Sequence, residues 1–106
     1  MRVLFDQGTP VPLRKFLRPH QVETAYERGW SALINGDLLM TAEHEGFEVF
    51  VTTDMNLRDQ QNLSRGKIAI VVLSSTSWPR IEKVGSVVKQ VIDAALPGNF
   101  KEVHIP

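Results

Sequence analysis

Apolar residues along this chain fall into short continuous runs, separated by stretches in which they recur at helical spacing. "RVLF" (2–5), "FEVFVTT" (47–53) and "KIAIVVLSS" (67–75) read as buried strands. Val22, Thr24 and Tyr26 alternate in "HQVETAY" (20–26), which predicts a further strand, and "FKEVHI" (100–105) alternates like an edge strand. Between the strands, Leu13, Phe16 and Leu17 share one side of an amphipathic turn or two in "PLRKFL", stopped by Pro19. A helix is predicted to start at Asn35 or Gly36, with Asp37 in its first turn, Leu38, Leu39 and Ala42 as its apolar face, and Gly46 as the left-handed residue past its end. Ile81, Val84, Val87, Val88, Val91, Ile92 and Ala95 predict one long helix covering the sheet and ended by "LPGN", while "LRDQQNLSRG" (57–66) reads as a polar turn or short helix.

Strands separated by helical segments make βαβ units, so the expected fold is three-layer α/β: a mainly parallel central sheet with helices on both faces. Residues 1–106 form one domain without internal repeats. The chain has no cysteine, which excludes disulfides, thiolate metal sites and thiol nucleophiles; any metal must be held by oxygen or imidazole. His20, His44 and His104 form no spaced pair, so zinc has no support and the three read as surface histidines. The net charge of zero argues against binding nucleic acid by global charge, but Arg14, Lys15 and Arg18 leave a local basic face. No stretch approaches the roughly 20 apolar residues of a membrane span, and "MRVLFDQG" lacks a signal-peptide core, so the expectation is a cytoplasmic protein with no membrane partner.

Two apolar strands end in an acid: "VLF" in Asp6 and "VFVTT" in Asp54. In a parallel sheet both face the carboxyl edge, where ligands of open α/β sheets bind. Adjacent strands lie about 4.8 Å apart, and carboxylates that close repel unless a cation or a proton compensates. Asp54 can equally cap the turn that follows it. Asp37 opens a helix whose start is expected at the opposite edge unless the preceding loop folds over, and its charge also suits the helix dipole. Three oxygen ligands would match Mg2+ or Mn2+. Asn56, Arg58 and Gln61 follow Asp54 closely enough to contact substrate, with Arg58 able to grip a phosphate, or they form a solvated polar turn. The hydroxyls of Ser74, Ser75, Thr76 and Ser77 fall on the same edge, and Trp30 and Trp78 either stack on bases or pack on the sheet.

Taken together, "VLFDQG", "GDLLMTAEHEGFEVFVTTDMNL" and "IAIVVL" resemble the PIN-domain nucleases, and more closely the short PIN-like proteins found as toxins of toxin–antitoxin pairs; the likeness covers residues 1 to 75. It implies a PIN-like sheet edge that binds Mg2+ or Mn2+ and activates water to cleave RNA, with Asp6, Asp37 and Asp54 as catalytic and metal-binding acids. A further glutamate ligand is implied, for which Glu27, with Glu23 behind it, is the nearest candidate. The partners implied are RNA and a cognate antitoxin covering the acidic edge, and the edge strand and long helix also invite a homodimer. A full PIN domain has additional helices, with its glutamate, between the first strand and the Asp-led helix; this chain does not. That departure carries the alternative, a PIN-like module that binds protein or nucleic acid without catalysis. A response-regulator receiver would need an acid pair after the first strand and a lysine ending a later one, and "VLFDQG" and "VVLSST" show neither.

Overall fold

Side chains along a strand point alternately to its two faces, and here both faces are apolar. Val3 and Phe5, Val49 and Val51, and Val71 and Leu73 fall in one core cluster; Leu4, Phe50, Ile70 and Val72 fall in another. A sheet buried on both sides results. The computed structural model describes residues 1–59 and 66–106 and contains five strands: β1 (Arg2–Phe5), β2 (Gln21–Thr24), β3 (Val49–Thr52), β4 (Ala69–Leu73) and β5 (Phe100–Val103). They are all parallel, in the order β2-β1-β3-β4-β5. The α/β reading therefore holds, with β5 at one edge as its alternation predicts.

The first cluster is closed by Leu13 and Leu17 of a 3₁₀ segment (Val11–Leu17), by Ile81 of α2 (Trp78–Glu82), and by Val88 and Ile92 of α3 (Gly85–Asp93). The second is closed by Leu38, Leu39 and Ala42 of α1 (Asn35–His44) and by Leu57 of a 3₁₀ segment (Met55–Asp59). Helix α1 ends as its sequence predicts. Gly46 has φ +89°, its N–H bonds to the Glu43 carbonyl, and the Phe47 N–H bonds back to Ala42. That pair of bonds satisfies carbonyls that the helix end would otherwise orphan.

Three expectations are corrected. The long helix predicted over 81–95 is two helices, α2 and α3, separated at Lys83–Val84, where Val84 leaves helical geometry at φ −120° and ψ 23°. A Cβ on Gly85 would lie 2.7 Å from the Phe16 ring, so the break lets α3 start tightly against the first 3₁₀ segment. Strand β2 stops at Thr24, and Tyr26 is outside it and 78% exposed. The cause is legible in "TAYE": the Glu27 carboxylate accepts the Thr24 N–H while the Thr24 hydroxyl accepts the Glu27 N–H, a reciprocal cap that turns the chain. Helix α1 also runs opposite to the expected sense relative to the site. Its C-terminal Glu45 carbonyl accepts a bond from Arg2 at the start of β1, and Leu38 near its start lines a cavity with Asp6 and Gly8 past the end of β1. A chain leaving the carboxyl end of a strand begins its crossover helix at that same edge, so α1 runs antiparallel to the strands.

Gly85→Ala is expected to lower stability by about 1–2 kcal/mol in urea unfolding, because contact with Phe16 outweighs the helix-propensity gain. An alanine variant more stable than the wild type would contradict this packing.

Candidate functional site

The strand order reverses between β1 and β3, and in open α/β sheets the crevice at such a switch point is where ligands sit. Many unrelated domains share this arrangement, so function must be argued from the residues on the edge. Those residues include Asp6, one step past β1, and Thr52, Thr53 and Asp54 at the end of β3.

Thr52 joins them. Its side chain is fully buried, and its hydroxyl donates to Asp6 Oδ2 at 2.5 Å while its Oγ1 accepts the Asp54 N–H at 3.0 Å. Asp6 Oδ1 accepts the Thr9 N–H at 3.1 Å and faces the Thr9 hydroxyl at 2.7 Å. That hydroxyl also stands 3.0 Å from the Val51 carbonyl, with one proton between the two acceptors. Asp54 Oδ1 accepts the Asn56 N–H at 3.0 Å, a local turn contact that realises the capping role open to it from sequence. Backbone approach is close: a Cβ on Gly8 would lie 2.5 Å from Thr53 Oγ1, so the loop after β1 packs directly onto the end of β3.

Asp6 lines two cavities. The smaller, about 120 Å³, lies toward α1 and includes Gly8, Trp30, Leu33 and Leu38. The larger, a cleft of about 600 Å³, is lined by Asp6, Thr9, Arg14, Thr24, Tyr26 and Glu27 among others. Glu27 thus shares a cleft with Asp6, as a fourth ligand should, but it is already engaged. Arg14 grips it through two bonds, of 2.8 and 3.2 Å. The Arg14 guanidinium, then the Thr24 N–H, holds the Glu27 carboxyl below its ordinary pKa, against a smaller opposing effect of burial. The pair's stabilisation is therefore present at neutral pH and fades as pH falls through the carboxylate range. Arg14 Nε is buried with no partner among the described residues.

Asp37 is exposed in the first turn of α1, which starts at this edge, but it lines neither cavity with Asp6. Among the described residues no three His, Cys, Asp or Glu side chains stand together in a group able to hold a metal ion. Asn56 is exposed beside Asp54; the Arg58 side chain and the whole of Gln61 lie outside the described residues. The Ser74 hydroxyl accepts the Ile105 N–H, and that of Ser75 accepts the Ser77 N–H, so both brace the edge. Trp30 packs edge-on to Phe47 and under Arg28, and Trp78 packs on Phe16, so both tryptophans serve packing. His20, expected on the surface, is largely buried, with Nε2 2.5 Å from Asp93. Nothing in the sequence singles out Thr9, and Thr52 stands there only within the Thr-x-Asp end of the strand, with no role of its own.

Among the described residues, no helix is long and apolar enough to cross a membrane. Comparison with protein-family models, curated proteins and solved structures finds no match.

Thr52→Val keeps the shape but removes a donor to Asp6 and an acceptor for the Asp54 N–H. A stability loss of about 1–3 kcal/mol is expected in chemical denaturation; a neutral result would mean that the hydroxyl organises nothing.

Proposed function

We propose that this protein is a PIN-like, Mg2+- or Mn2+-dependent ribonuclease, acting as the toxin of a toxin–antitoxin pair. The observation that carries the reading is the Thr52 hydroxyl, which ties the Asp6 carboxylate to the backbone of Asp54 at the switch point of a parallel sheet. An all-oxygen donor set suits these hard cations, which keep several waters and need only one or two protein carboxylates beside substrate phosphates. Asp6 and Asp54 would hold the ion, with Asp37 available from the start of α1 at the same edge.

The ion, when bound, supplies a water of lowered pKa and neutralises phosphate charge. The chain's own residues do the positioning. Thr9 and Thr52 fix both oxygens of Asp6, so the carboxylate meets its ligand without reorganising. Asn56 holds Oδ1 of Asp54 through its backbone N–H, and Arg58 and Gln61 follow on the same segment as candidates for the substrate backbone. The cognate antitoxin would cover this acidic edge.

A second reading, a PIN-like module that binds without cutting, is favoured by one feature: Glu27, the glutamate that shares the cleft with Asp6, is neutralised by Arg14. Cleavage assays separate the two. Wild-type protein is expected to cut a mixed RNA pool only when Mg2+ or Mn2+ is added, and Asp6→Asn or Asp54→Asn to lose at least about 100-fold of that rate, the scale on which misplaced catalytic groups cost activity. Folded wild type that binds RNA without cutting it would replace the nuclease with the binding module.

A further inference from the structure

We propose that Arg14 is a built-in competitor of the cation: its guanidinium occupies Glu27 and withholds that carboxylate from an ion bound beside Asp6. The inference rests on the reading of the Asp6 edge as a hard-cation site and adds an autoinhibitory contact to it. Asp6, Arg14 and Glu27 line one cleft of about 600 Å³. Two carboxylates that share a site repel each other unless a cation or a proton intervenes. Here a cation of the chain itself intervenes. Arg14 meets the two oxygens of Glu27 through two separate nitrogens, at 2.8 and 3.2 Å, the paired geometry in which a guanidinium holds a carboxylate best.

Packing delivers both partners independently. Leu13 and Leu17 anchor the 3₁₀ segment that carries Arg14 in the core, and Phe16 of the same segment lies against Gly85. Glu27 keeps its place without Arg14, because its Oε1 also accepts the Thr24 N–H at 2.9 Å. The pair is nonetheless open to exchange. The two side chains are 37% and 46% exposed, and ion pairs that water reaches so easily shift an equilibrium by no more than about 5-fold. Arg14 Nε is buried with no partner among the described residues, and an orphaned donor counts against the closed arrangement. Swinging the guanidinium outward gives that nitrogen water. A divalent ion beside Asp6 repels the guanidinium and attracts the carboxylate it covers, so the two cations contend for one partner.

The test is a double-variant cycle on Mn2+ affinity, measured by calorimetry on the full chain as wild type, Arg14→Met, Glu27→Gln and both together. Methionine keeps the apolar stem of Arg14 and glutamine keeps the Thr24 cap, and urea unfolding midpoints check that all four are folded. Arg14→Met is expected to tighten Mn2+ binding, with a gain about 5-fold larger when Glu27 is present than beside Glu27→Gln, the measure of the pair that has been opened. An equal gain in both backgrounds would mean that Arg14 acts only through its charge, and no gain in either that Glu27 is out of the ion's reach; both overturn the proposal. The two readings fail separately. Wild type that loses Mn2+ in Asp6→Asn but shows no coupling between Arg14 and Glu27 removes the competitor and leaves the cation site. Coupling without cleavage of RNA by any of the four forms removes the nuclease and leaves the competitor. Mn2+ binding by none of the four removes both.

Discussion

The Thr52 hydroxyl is the contact on which the site depends. It lies fully buried at the end of β3, between a carboxylate that follows β1 and the backbone that leads into Asp54. A buried hydroxyl needs partners, and here its donor and acceptor capacities are used on the two sides of one crevice. Pairing of β1 with β3 sets the crevice width, with Phe5 opposite Val51, so the next residues of both strands meet at the edge. Gly8 completes the closure by allowing Thr53 to lie against the loop after β1. The register and the bond from the Asp6 N–H to the Val51 carbonyl hold the two strand ends together, and the hydroxyl fixes the Asp6 carboxylate against the backbone of Asp54.

A second consequence follows from the turn after β2. The same Glu27 that shares a cleft with Asp6 is the reciprocal cap of Thr24 and the partner of Arg14. Its carboxylate is therefore occupied in building the wall of the cleft, and the turn it caps lifts Tyr26 out of the sheet into solvent. One residue thus links the local chain reversal, the charge of the cleft and the exposure of the ring.

Much of the fold was legible because its signals are periodic and local. Runs such as "VFVT" and "AIVVL" announce strands buried on both faces, and Gly46 announces the end of α1. The break between α2 and α3 was not legible, because the apolar spacing runs straight through Val84 and the cause is Phe16, far away in sequence. Tyr26 falls outside β2 despite its alternation because the reciprocal Thr24–Glu27 cap ends the strand within the same four residues. On the site, Asp6 and Asp54 came from their places at strand ends. Glu27's engagement with Arg14 depends on the 3₁₀ segment docking beside β2, a tertiary fact with no local signature.

The central claim is that the carboxylates of Asp6 and Asp54 form one oxygen-rich site for a hard cation. Titrating Mn2+ into isotope-labelled protein and following amide NMR line widths tests it most directly, because paramagnetic broadening marks the residues nearest the ion. The account predicts broadening first at Asp6, Gly8, Thr9, Thr53 and Asp54, and its loss from that group in Asp6→Asn. Broadening confined to other exposed acids such as Glu82 and Glu102, with the switch-point amides left sharp, would contradict it.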